Sequence, residues 1–371
     1  MKTAVIILPT YNESRNIKEL LNRIIVVSKK IEDWIIKILV VDSSSPDGTA
    51  EIVKEMGKYN KSLHIISTEK SGLGQAYIDG FSYCMENLNP YVMFEMDADL
   101  SHNPDDIPAF LNKIQDGADF VVGSRYIKGG SIPKNWGIDR KIFSILGNLV
   151  IRFGFMKLSI TEWTNGYRAI KTWLVKEHID TLRGYTGYVF QVAFLDNAIK
   201  SGAVVKEIPV NFIDRVEGSS KIDSFEYIYQ TLKYVFFHST FIKFAIVGGV
   251  GFIIDFGISF LLIEIITTAV WLSTIISAET AIVSNFILNN KWSFKHKKIS
   301  RKSGRKSFIW SFLKFNIIAS GSIIIQTTAM TVTTNIFGLT YWYIYKVLII
   351  TLVIIPYSYF FYNKLVWKEN G

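Results

Sequence analysis

Residues 93–105 read "MFEMDADLSHNPD" and place three acids, Glu95, Asp97 and Asp99, among apolar residues just before Pro104. The apolar run that precedes the acids predicts a buried β-strand, and the residues after the proline predict a helix. Ionised carboxylates at the end of a buried strand cost free energy unless a cation meets them. This stretch therefore predicts a site for a positively charged ligand at the end of a strand.

Strand-like and helix-like segments alternate on both sides of this stretch. Apolar runs predict strands over residues 3–8, 35–41, 63–67, 91–96 and 119–123. Helical spacing of apolar residues lies between them, over residues 14–30, 49–59, 74–88 and 104–116. Such alternation indicates an α/β fold with a mostly parallel sheet and helices on both faces.

Polar segments follow three of the predicted strands. They read "LPTYNE" (8–13), "VVDSSSPDGT" (40–49) and "EMDAD" (95–99). Ligands of parallel sheets bind beyond the carboxyl ends of the strands. These segments are therefore expected to form one site.

The second half of the chain has a different composition. The 371 residues are enough for two or three domains on length alone, and the mean hydropathy is +0.24. The excess of apolar residues lies in four runs, each close to the ~20 residues that cross a bilayer: 242–263, 268–288, 311–335 and 342–362. We expect a catalytic domain over 1–221, an interfacial connection over 222–240 and an all-α transmembrane domain of four helices over 241–371.

The positive charge is concentrated in one segment. Eight of the lysines and arginines lie in residues 289–310, which contain no acid, and the net charge of +9 falls to +1 without them. A basic loop between two apolar runs is explained by membrane topology rather than by nucleic-acid binding. Four spans and this loop predict that the catalytic domain and both chain ends are cytosolic. The single cysteine, Cys84, excludes an internal disulfide.

Two amphipathic stretches flank the apolar region. Residues 139–157 combine apolar residues at helical spacing with arginines and lysines, which suits either a core helix or a helix lying in the membrane interface. Residues 222–239 suggest a second interfacial helix. The glycine-rich "GGVG" at 248–251 lies inside an apolar run, so we expect it to serve helix packing. No Gly-x-Gly-x-x-Gly follows the first predicted strand, and no Walker motif is present.

Asp97 and Asp99 are one residue apart at the end of a predicted strand. Such a pair can offer hard oxygen ligands to Mg²⁺ or Mn²⁺ and leave coordination positions open for phosphates. Alternatively, the two acids cap the helix after Pro104 or are simply solvated, because an isolated Asp-x-Asp is common. The pair alone does not decide between these possibilities.

The ordered motifs together resemble the family 2 glycosyltransferases of the GT-A fold, most of all their polyprenyl-phosphate branch, which includes the dolichyl-phosphate mannose synthases. The resemblance covers about residues 3–230. Its motifs are "LPTYNE", "VVDSSSPDGT", "GLGQA" (72–76), "MDADLSHNPDDIP" (96–108), "GSRYIKGG" (123–130) and "DRVEGSSK" (214–221). The C-terminal part, with "KFAIVGGVGF" (243–252) and "NFILNNKWSFK" (285–295), resembles a GtrA-like four-span membrane domain.

The resemblance implies three groups of site residues. The nucleotide sugar would be bound by Pro9, Tyr11, Glu13, Val41, Asp42, Ser43, Asp97, Ala98 and Asp99. The metal, Mg²⁺ or Mn²⁺, would be held by Asp97, Asp99 and Ser101, the last standing where relatives often carry a glutamine. The phosphate of a lipid acceptor would be contacted by Arg125, Arg140, Ser144, Arg215 and Lys221. Asp97, Asp99 and Arg125 would be the catalytic residues.

The resemblance also implies an activity. The enzyme would transfer a hexose to dolichyl phosphate or another polyprenyl phosphate at the cytosolic membrane face. The favoured donor is GDP-mannose, and the transfer would invert the anomeric carbon. Its partners would be the nucleotide sugar, the polyprenyl phosphate, the bilayer and a second copy bound through the membrane domain. The alternatives are a UDP-glucose-dependent enzyme, a processive polysaccharide synthase and a translocator of lipid-linked sugars.

Polar residues inside the apolar runs motivate the translocator alternative. Asp255 and Glu279 lie about halfway along the first and second runs, and Gln326 lies in the third. Carboxyl groups inside a membrane are functional candidates, although a protonated pair can also lock two helices together. We predict that Asp255 and Glu279 lie on facing sides of adjacent helices.

Overall fold

The computed structural model describes residues 1–185, 187–214, 224–266, 270–297, 299, 305–338 and 340–367. The chain divides into two compact units, Met1–Val235 and Phe236–Gly371. A seven-stranded sheet lies in the first unit. The second unit is helical wherever its described residues form regular structure.

The sheet of the first unit has the strand order β3-β2-β1-β4-β6-β5-β7. Its strands are β1 (Lys2–Thr10), β2 (Trp34–Asp42), β3 (Leu63–Ser67), β4 (Val92–Glu95), β5 (Phe120–Ser124), β6 (Arg168–Lys171) and β7 (Val205–Pro209). All neighbouring strands are parallel except that β6 runs antiparallel to both β4 and β5. The predicted parallel sheet is confirmed for β1 to β5, and β6 is an unpredicted insertion between two of its strands.

The helices that accompany this sheet along the chain are α1 (Ile17–Ser28), α2 (Thr49–Gly57), α3 (Leu73–Asn87), α4 (Ile107–Gln115), α5 (Ile138–Phe155), α6 (Thr172–Leu182), α7 (Gly187–Lys200) and α8 (Ser224–His238). The fourth predicted helix starts with a 3₁₀ turn, Pro104–Asp106, where the Asn103 side chain accepts a hydrogen bond from the Asp105 amide. This cap fixes where the chain turns back after the acidic segment.

The core of the first unit follows from the apolar spacing. Residues 4–8 of β1 are fully buried, as expected for a central parallel strand with both faces covered. Helix α1 buries Ile17, Leu20, Leu21 and Ile24, which are spaced for one face of a helix. The loops at the carboxyl ends of the strands are thus held by a rigid base.

Gly74 fixes the packing of α3 against the segment that leads into α7. A Cβ at this position would collide with the carbonyl oxygen of Tyr185 and lie 3.1 Å from the Phe190 ring. We expect Gly74→Ala to cost about 1–3 kcal/mol, because a backbone carbonyl cannot give way as a flexible side chain can. Thermal unfolding of the full chain in detergent measures the effect. The control is Gly147→Ala, in helix α5, where an added Cβ meets nothing within 4 Å; an equal loss in both variants would contradict the steric explanation.

The second unit consists of α9 (Thr240–Phe260), α10 (Val270–Leu288), α11 (Arg305–Phe337), α12 (Trp342–Ile349) and α13 (Ile355–Phe361), with π-helical turns after α9, α10, α12 and α13. Three stretches among the described residues are long and apolar enough to cross a membrane: Thr240–Ile265, Ser307–Phe337 and Val347–Val366. Three of the four predicted spans thus have counterparts among the described residues. The predicted span at 268–288 corresponds to α10, a helix of 19 residues that contains Glu279 and Asn285 and is not among the three stretches.

Helices α9 and α10 pack antiparallel through small and polar residues. The Ser277 hydroxyl donates to Asp255 at 2.6 Å and accepts from the Ser259 hydroxyl at 2.8 Å. Further along, Gly251 is packed so closely that a Cβ there would collide with the Asn285 amide. The packing role predicted for the glycine-rich segment is confirmed at this glycine.

The predicted pairing of Asp255 with Glu279 is wrong. The Asp255 carboxylate faces Ser277 of α10, whereas Glu279 is exposed. Residues two apart in a helix point about 200° apart around its axis, so Ser277 and Glu279 cannot both face α9. Asp255 is thus bound to a hydroxyl group rather than to a second acid.

Candidate active site

The polar loops meet at one edge of the sheet. Strands β1, β2 and β4 are neighbours, and the register places Thr10 beside Asp42 and Ile7 beside Glu95. Their carboxyl ends therefore point the same way, with the acidic loop of residues 96–102 following β4. The sequence prediction of one site made from these loops agrees with this topology.

The acidic loop offers three oxygen groups suited to a divalent cation. The Asp97 side chain is 29% exposed, and Asp99 is buried. The hydroxyl oxygen of Ser101 is buried and has no hydrogen-bond partner among the described residues. Mg²⁺ and Mn²⁺ prefer such hard oxygen ligands and complete their shells with water and phosphate. The loop therefore offers oxygen ligands of the kind that these cations bind.

Leu100 gives the acidic loop its shape. Its φ of 64° lies in the left-handed region, which costs a residue with a Cβ about 1–2 kcal/mol. The turn lets the Ser101 amide donate to the Asp99 carboxylate at 3.1 Å. Leu100 lies between two candidate ligands, Asp99 and Ser101. Strained backbone of this kind is kept only where the surrounding structure holds it in place, and it is common at functional sites.

His102 holds the acidic loop in place, and the sequence analysis missed it. The Asp97 amide donates to Nδ1 of His102 at 3.0 Å, so the ring proton is on Nε2, which donates to Asn165 at 2.9 Å. Asn165 in turn donates to the Gly123 carbonyl at 2.6 Å. The imidazole stacks on Tyr167, with 4.8 Å between the ring centroids. This neutral histidine ties the loop after β4 to the end of β5.

Glu95 lies beneath the acidic loop with no exposure to solvent. Burial raises the pKa of its carboxyl group to about 7, against the opposing charge of Arg168, whose Nε lies 3.9 Å away. The side-chain amide of Gln191 lies close enough to favour the ionised form of Glu95. The distance and angle between the Gln191 amide and the Glu95 carboxylate do not meet the criteria of a full hydrogen bond. A buried acid, an amide and a guanidinium thus form the floor of the site.

Arg125 is held by a buried glutamate. Its Nε and Nη2 donate to the Glu162 carboxylate at 2.7 and 3.0 Å, and both residues are buried. Burial alone would raise the pKa of Glu162, but Arg125 and the hydrogen bonds of Thr164 hold it below its usual value. The sequence predicted a phosphate contact for Arg125; the structure places its guanidinium in this bidentate pair.

Three of the residues predicted to bind the nucleotide sugar, Val41, Asp42 and Ser43, lie at the end of β2. The Asp42 carboxylate accepts from the Thr10 hydroxyl at 2.9 Å and from the Ser45 amide and hydroxyl at 2.9 and 2.6 Å. The Ser43 amide donates to the Thr10 carbonyl, and Val41 is fully buried. Asp42 therefore shapes the loop through its own hydrogen bonds, and its contact with the nucleotide sugar stays a prediction.

Pro9, near the end of β1, and Tyr11 and Glu13, in the loop that follows, are partly exposed. The Lys70 ammonium lies 3.7 Å from the centre of the Tyr11 ring, and the Asn16 amide donates to the Glu13 carboxylate at 2.9 Å. An aromatic ring beside a cation is suited to a ligand with a flat base and phosphates. Lys70 was not predicted, because its contact with Tyr11 joins segments far apart in the sequence.

The predicted lipid-phosphate residues are only partly described. Arg140 is half-exposed, lies 3.3 Å from the Asp214 carboxylate and stacks on Trp136. Ser144 shares a 2.5 Å hydrogen bond with the Tyr126 hydroxyl. Arg215 and Lys221 lie outside the described residues.

Helix α5 carries an exposed apolar surface. Its exposed apolar residues are Ile138, Ile142, Phe143, Ile145, Leu146, Val150 and Phe153. Its other side is tied to the segment before β6, since the Trp163 amide donates to Asn148 at 2.8 Å and Asn148 reaches the Thr164 hydroxyl at 3.4 Å. A helix with an exposed apolar face and basic residues has the character of an interfacial helix.

Comparison with known proteins identifies both parts of the chain. The mostly parallel sheet covered by helices is of the GT-A type, and residues 5–180 match glycosyl transferase family 2. Residues 243–367 match the GtrA/DPMS transmembrane domain. The chain belongs to glycosyl transferase family 2 and is a membrane enzyme with a GtrA-like domain.

Several curated relatives are similar over much of their length. The dolichol-phosphate mannosyltransferase of Pyrococcus furiosus is 33% identical over 333 residues, which are 87% of this chain and 88% of that protein. The polyprenol monophosphomannose synthase of Mycolicibacterium smegmatis is 34% identical over 59% of this chain and 80% of its own. Among solved structures, glucosyl-3-phosphoglycerate synthase from Mycobacterium tuberculosis superposes with a TM-score of 0.47 and 15% identity, over 63% of this chain and 79% of that one.

Proposed function

We propose that the protein transfers mannose from GDP-mannose to the phosphate of dolichyl or another polyprenyl phosphate. The observation that carries this proposal is the direct connection between the acidic loop and an apolar helix. Asp97 is bound to His102, His102 to Asn165, and the neighbouring Thr164 to Asn148 of α5. A water-soluble donor and a membrane-bound acceptor can therefore meet at one site. The names of the curated relatives support mannose and a polyprenyl phosphate as the two substrates.

The transfer needs stabilisation of a leaving group more than it needs a base. A divalent cation held by Asp97, Asp99 and Ser101 would stabilise, as a Lewis acid, the charge that develops on the departing nucleotide diphosphate. The acceptor phosphate is already anionic, with a second pKa near ~6, and requires only alignment for in-line attack. The half-exposed Arg140 at the start of α5, with Arg215 and Lys221, is suited to bind that phosphate. In-line attack inverts the anomeric carbon.

The orientation in the membrane follows from charge. The segment 289–310 carries eight basic residues and no acid, and such segments remain on the cytosolic side. Because α10 runs back along α9, the start of α9 and this segment lie at the same end of the helix pair. We therefore propose a cytosolic catalytic unit, which is also where nucleotide sugars would reach it. Association of two copies through the second unit stays a prediction.

The experiment is a transfer assay with the purified full chain in detergent. GDP-mannose and UDP-glucose are offered separately with a short polyprenyl phosphate, in the presence of Mn²⁺, Mg²⁺ or a chelator. We expect metal-dependent transfer from GDP-mannose. Transfer only from UDP-glucose would replace the donor and keep the reaction class. Binding of GDP without transfer from either donor would overturn the proposed acceptor.

A further inference from the structure

A folded turn follows α10 and carries the first part of the basic segment. Its described residues are 289–297 and 299, and we call it the basic turn. The Asn290 amide donates to the Ile299 carbonyl at 3.0 Å, and its oxygen accepts from the Ile299 amide at 2.8 Å. The same oxygen accepts from Nε1 of Trp367 at 3.0 Å. One buried side chain thus holds the backbone of the turn in a single shape.

The basic turn packs against the ends of the three stretches that are long enough to cross a membrane. The Phe294 ring stacks on Trp367, with 4.3 Å between the ring centroids, and Trp367 directly follows the third stretch. Phe294 also lies 6.4 Å from Phe244, near the start of the first stretch. Trp367 lies 5.9 Å from Phe315, near the start of the second. The turn therefore lies at one surface of the second unit, where the chain enters and leaves the bilayer.

Two lysines of the basic turn lack a countercharge. Lys291 and Lys295 are exposed, and neither forms a salt bridge with a described residue. The whole segment 289–310 contains no acid. Trp292, next to Lys291, is 44% exposed, and tryptophan is enriched at the level of the lipid head groups. The turn therefore presents its cations at the depth where lipid phosphates lie.

We propose that the basic turn is a binding site for anionic phospholipid head groups of the leaflet that it faces. Charge complementarity selects this occupant, because lysines near a membrane surface attract anionic lipids. Membrane topology requires only that basic residues be present in the segment. Here the hydrogen bonds of Asn290 also fix the backbone that carries them. No substrate of the transfer reaction takes part, so this site is independent of the proposed function.

Lipid binding to the purified full chain tests the proposal. Native mass spectrometry gives the affinities for short-chain phosphatidylglycerol and for phosphatidylcholine with the same acyl chains. We expect phosphatidylglycerol to bind at least about tenfold more tightly, because each lysine near an anionic surface contributes a factor of about five. The double variant Lys291→Gln with Lys295→Gln should lose this preference. Higher ionic strength should weaken it in the natural chain.

The variant Asn290→Ala distinguishes a folded site from diffuse attraction between charges. It keeps every lysine but removes the hydrogen bonds to Ile299 and Trp367. The affinity for phosphatidylglycerol should therefore fall about 3- to 10-fold. Trp367→Phe keeps a ring to stack on Phe294 and removes only the indole donor, so it should show a smaller loss in the same direction. Thermal unfolding in detergent shows whether each variant is folded.

The matched control is Lys30→Gln with Lys54→Gln, which removes two exposed lysines of the first unit and should leave the lipid preference unchanged. Equal losses in the two double variants would overturn the proposal. A folded Asn290→Ala variant with the full preference would do the same, since the charges would then act without the turn; if that variant is unfolded, Trp367→Phe decides in the same way.

A further measurement separates bilayer lipids from the acceptor substrate. A short polyprenyl phosphate is titrated against the natural chain and the variant that lacks Lys291 and Lys295. We expect the double variant to lose affinity for phosphatidylglycerol. If it loses affinity for the polyprenyl phosphate alone, the turn binds the acceptor instead, and the proposal is overturned.

Discussion

Replacing Asp99 with asparagine is expected to lower the rate of sugar transfer about 10²- to 10³-fold, the usual cost of removing one electrostatic group that stabilises a developing charge. The amide that replaces the carboxylate keeps the size of the side chain but is a much weaker ligand for a divalent cation. The fold should survive, since the hydrogen bond from the Ser101 amide can still be accepted by the amide oxygen. Initial rates with GDP-mannose and a short polyprenyl phosphate at saturating Mn²⁺ measure the effect.

The matched control is Asp105→Asn on the same segment. The Asp105 side chain is exposed in the 3₁₀ turn that follows the acidic loop, so its loss should change the rate less than about twofold. Raising the Mn²⁺ concentration should restore part of the activity of the Asp99 variant, because a weakened ligand set is filled at higher metal concentration. Equal rates for the two variants would remove Asp99 from the chemistry.

Replacing Glu162 with glutamine is expected to destabilise the first unit by about 3–5 kcal/mol, the cost of leaving a buried charge without its partner. Glu162 is fully buried and accepts five hydrogen bonds, two from Arg125, two from Thr164 and one from the Asn165 amide. For a unit of this size the loss corresponds to a fall of about 6–20 °C in Tm. Thermal unfolding of the full chain in detergent, followed by intrinsic fluorescence, measures it.

The pH dependence of this effect has a definite sign. The pKa of Glu162 is lower in the folded protein than its ordinary value of 4.5, so its contribution to stability is complete above that value and is lost as the pH falls through the folded pKa. The difference in Tm between the natural chain and the glutamine variant should therefore be constant near neutrality and shrink below pH 4.5.

Two further variants test the origin of the loss. Glu86→Gln changes an exposed acid of α3 and should shift stability by no more than about 0.5 kcal/mol. The double variant Arg125→Met with Glu162→Leu removes both charges and should recover much of the stability lost in the single variant. A double variant no more stable than Glu162→Gln would show that the hydrogen bonds, rather than the ion pair, carry the effect.

The sequence predicted the part of the fold that depends on local patterns. Strands β1 to β5 and helices α1 to α4 were predicted because the spacing of apolar residues within a single segment shows which of its faces is buried. Strands β6 and β7 were not predicted. The place of β6 between β4 and β5 depends on antiparallel pairing with distant segments, which no local pattern shows. The predicted span at 268–288 is not among the three stretches found in the described residues, and polar residues such as Glu279 lie within it.

For the candidate site, too, the sequence predicted only the residues that belong to a local motif. Asp97, Asp99 and Ser101 follow one strand within one motif, so a single sequence is enough to propose them. His102, Glu162 and Gln191 act through contacts with residues far away in the chain, and no local pattern distinguishes them from other buried polar residues. Arg125 shows the limit most clearly: its motif indicated a phosphate contact, but only the structure reveals the glutamate that it binds.

The placement of β6 has a consequence for the order in which this enzyme can be assembled. Strands β4 and β5 do not pair with each other; Arg168–Lys171 must enter between them. A nascent chain that has emerged only as far as α5 therefore exposes an unpaired edge of β4, and such edges recruit other strands. Asn165, which anchors the acidic loop through His102, arrives together with this strand. We therefore expect ribosome-bound intermediates shorter than β6 to be prone to aggregate and to lack the anchor of the acidic loop.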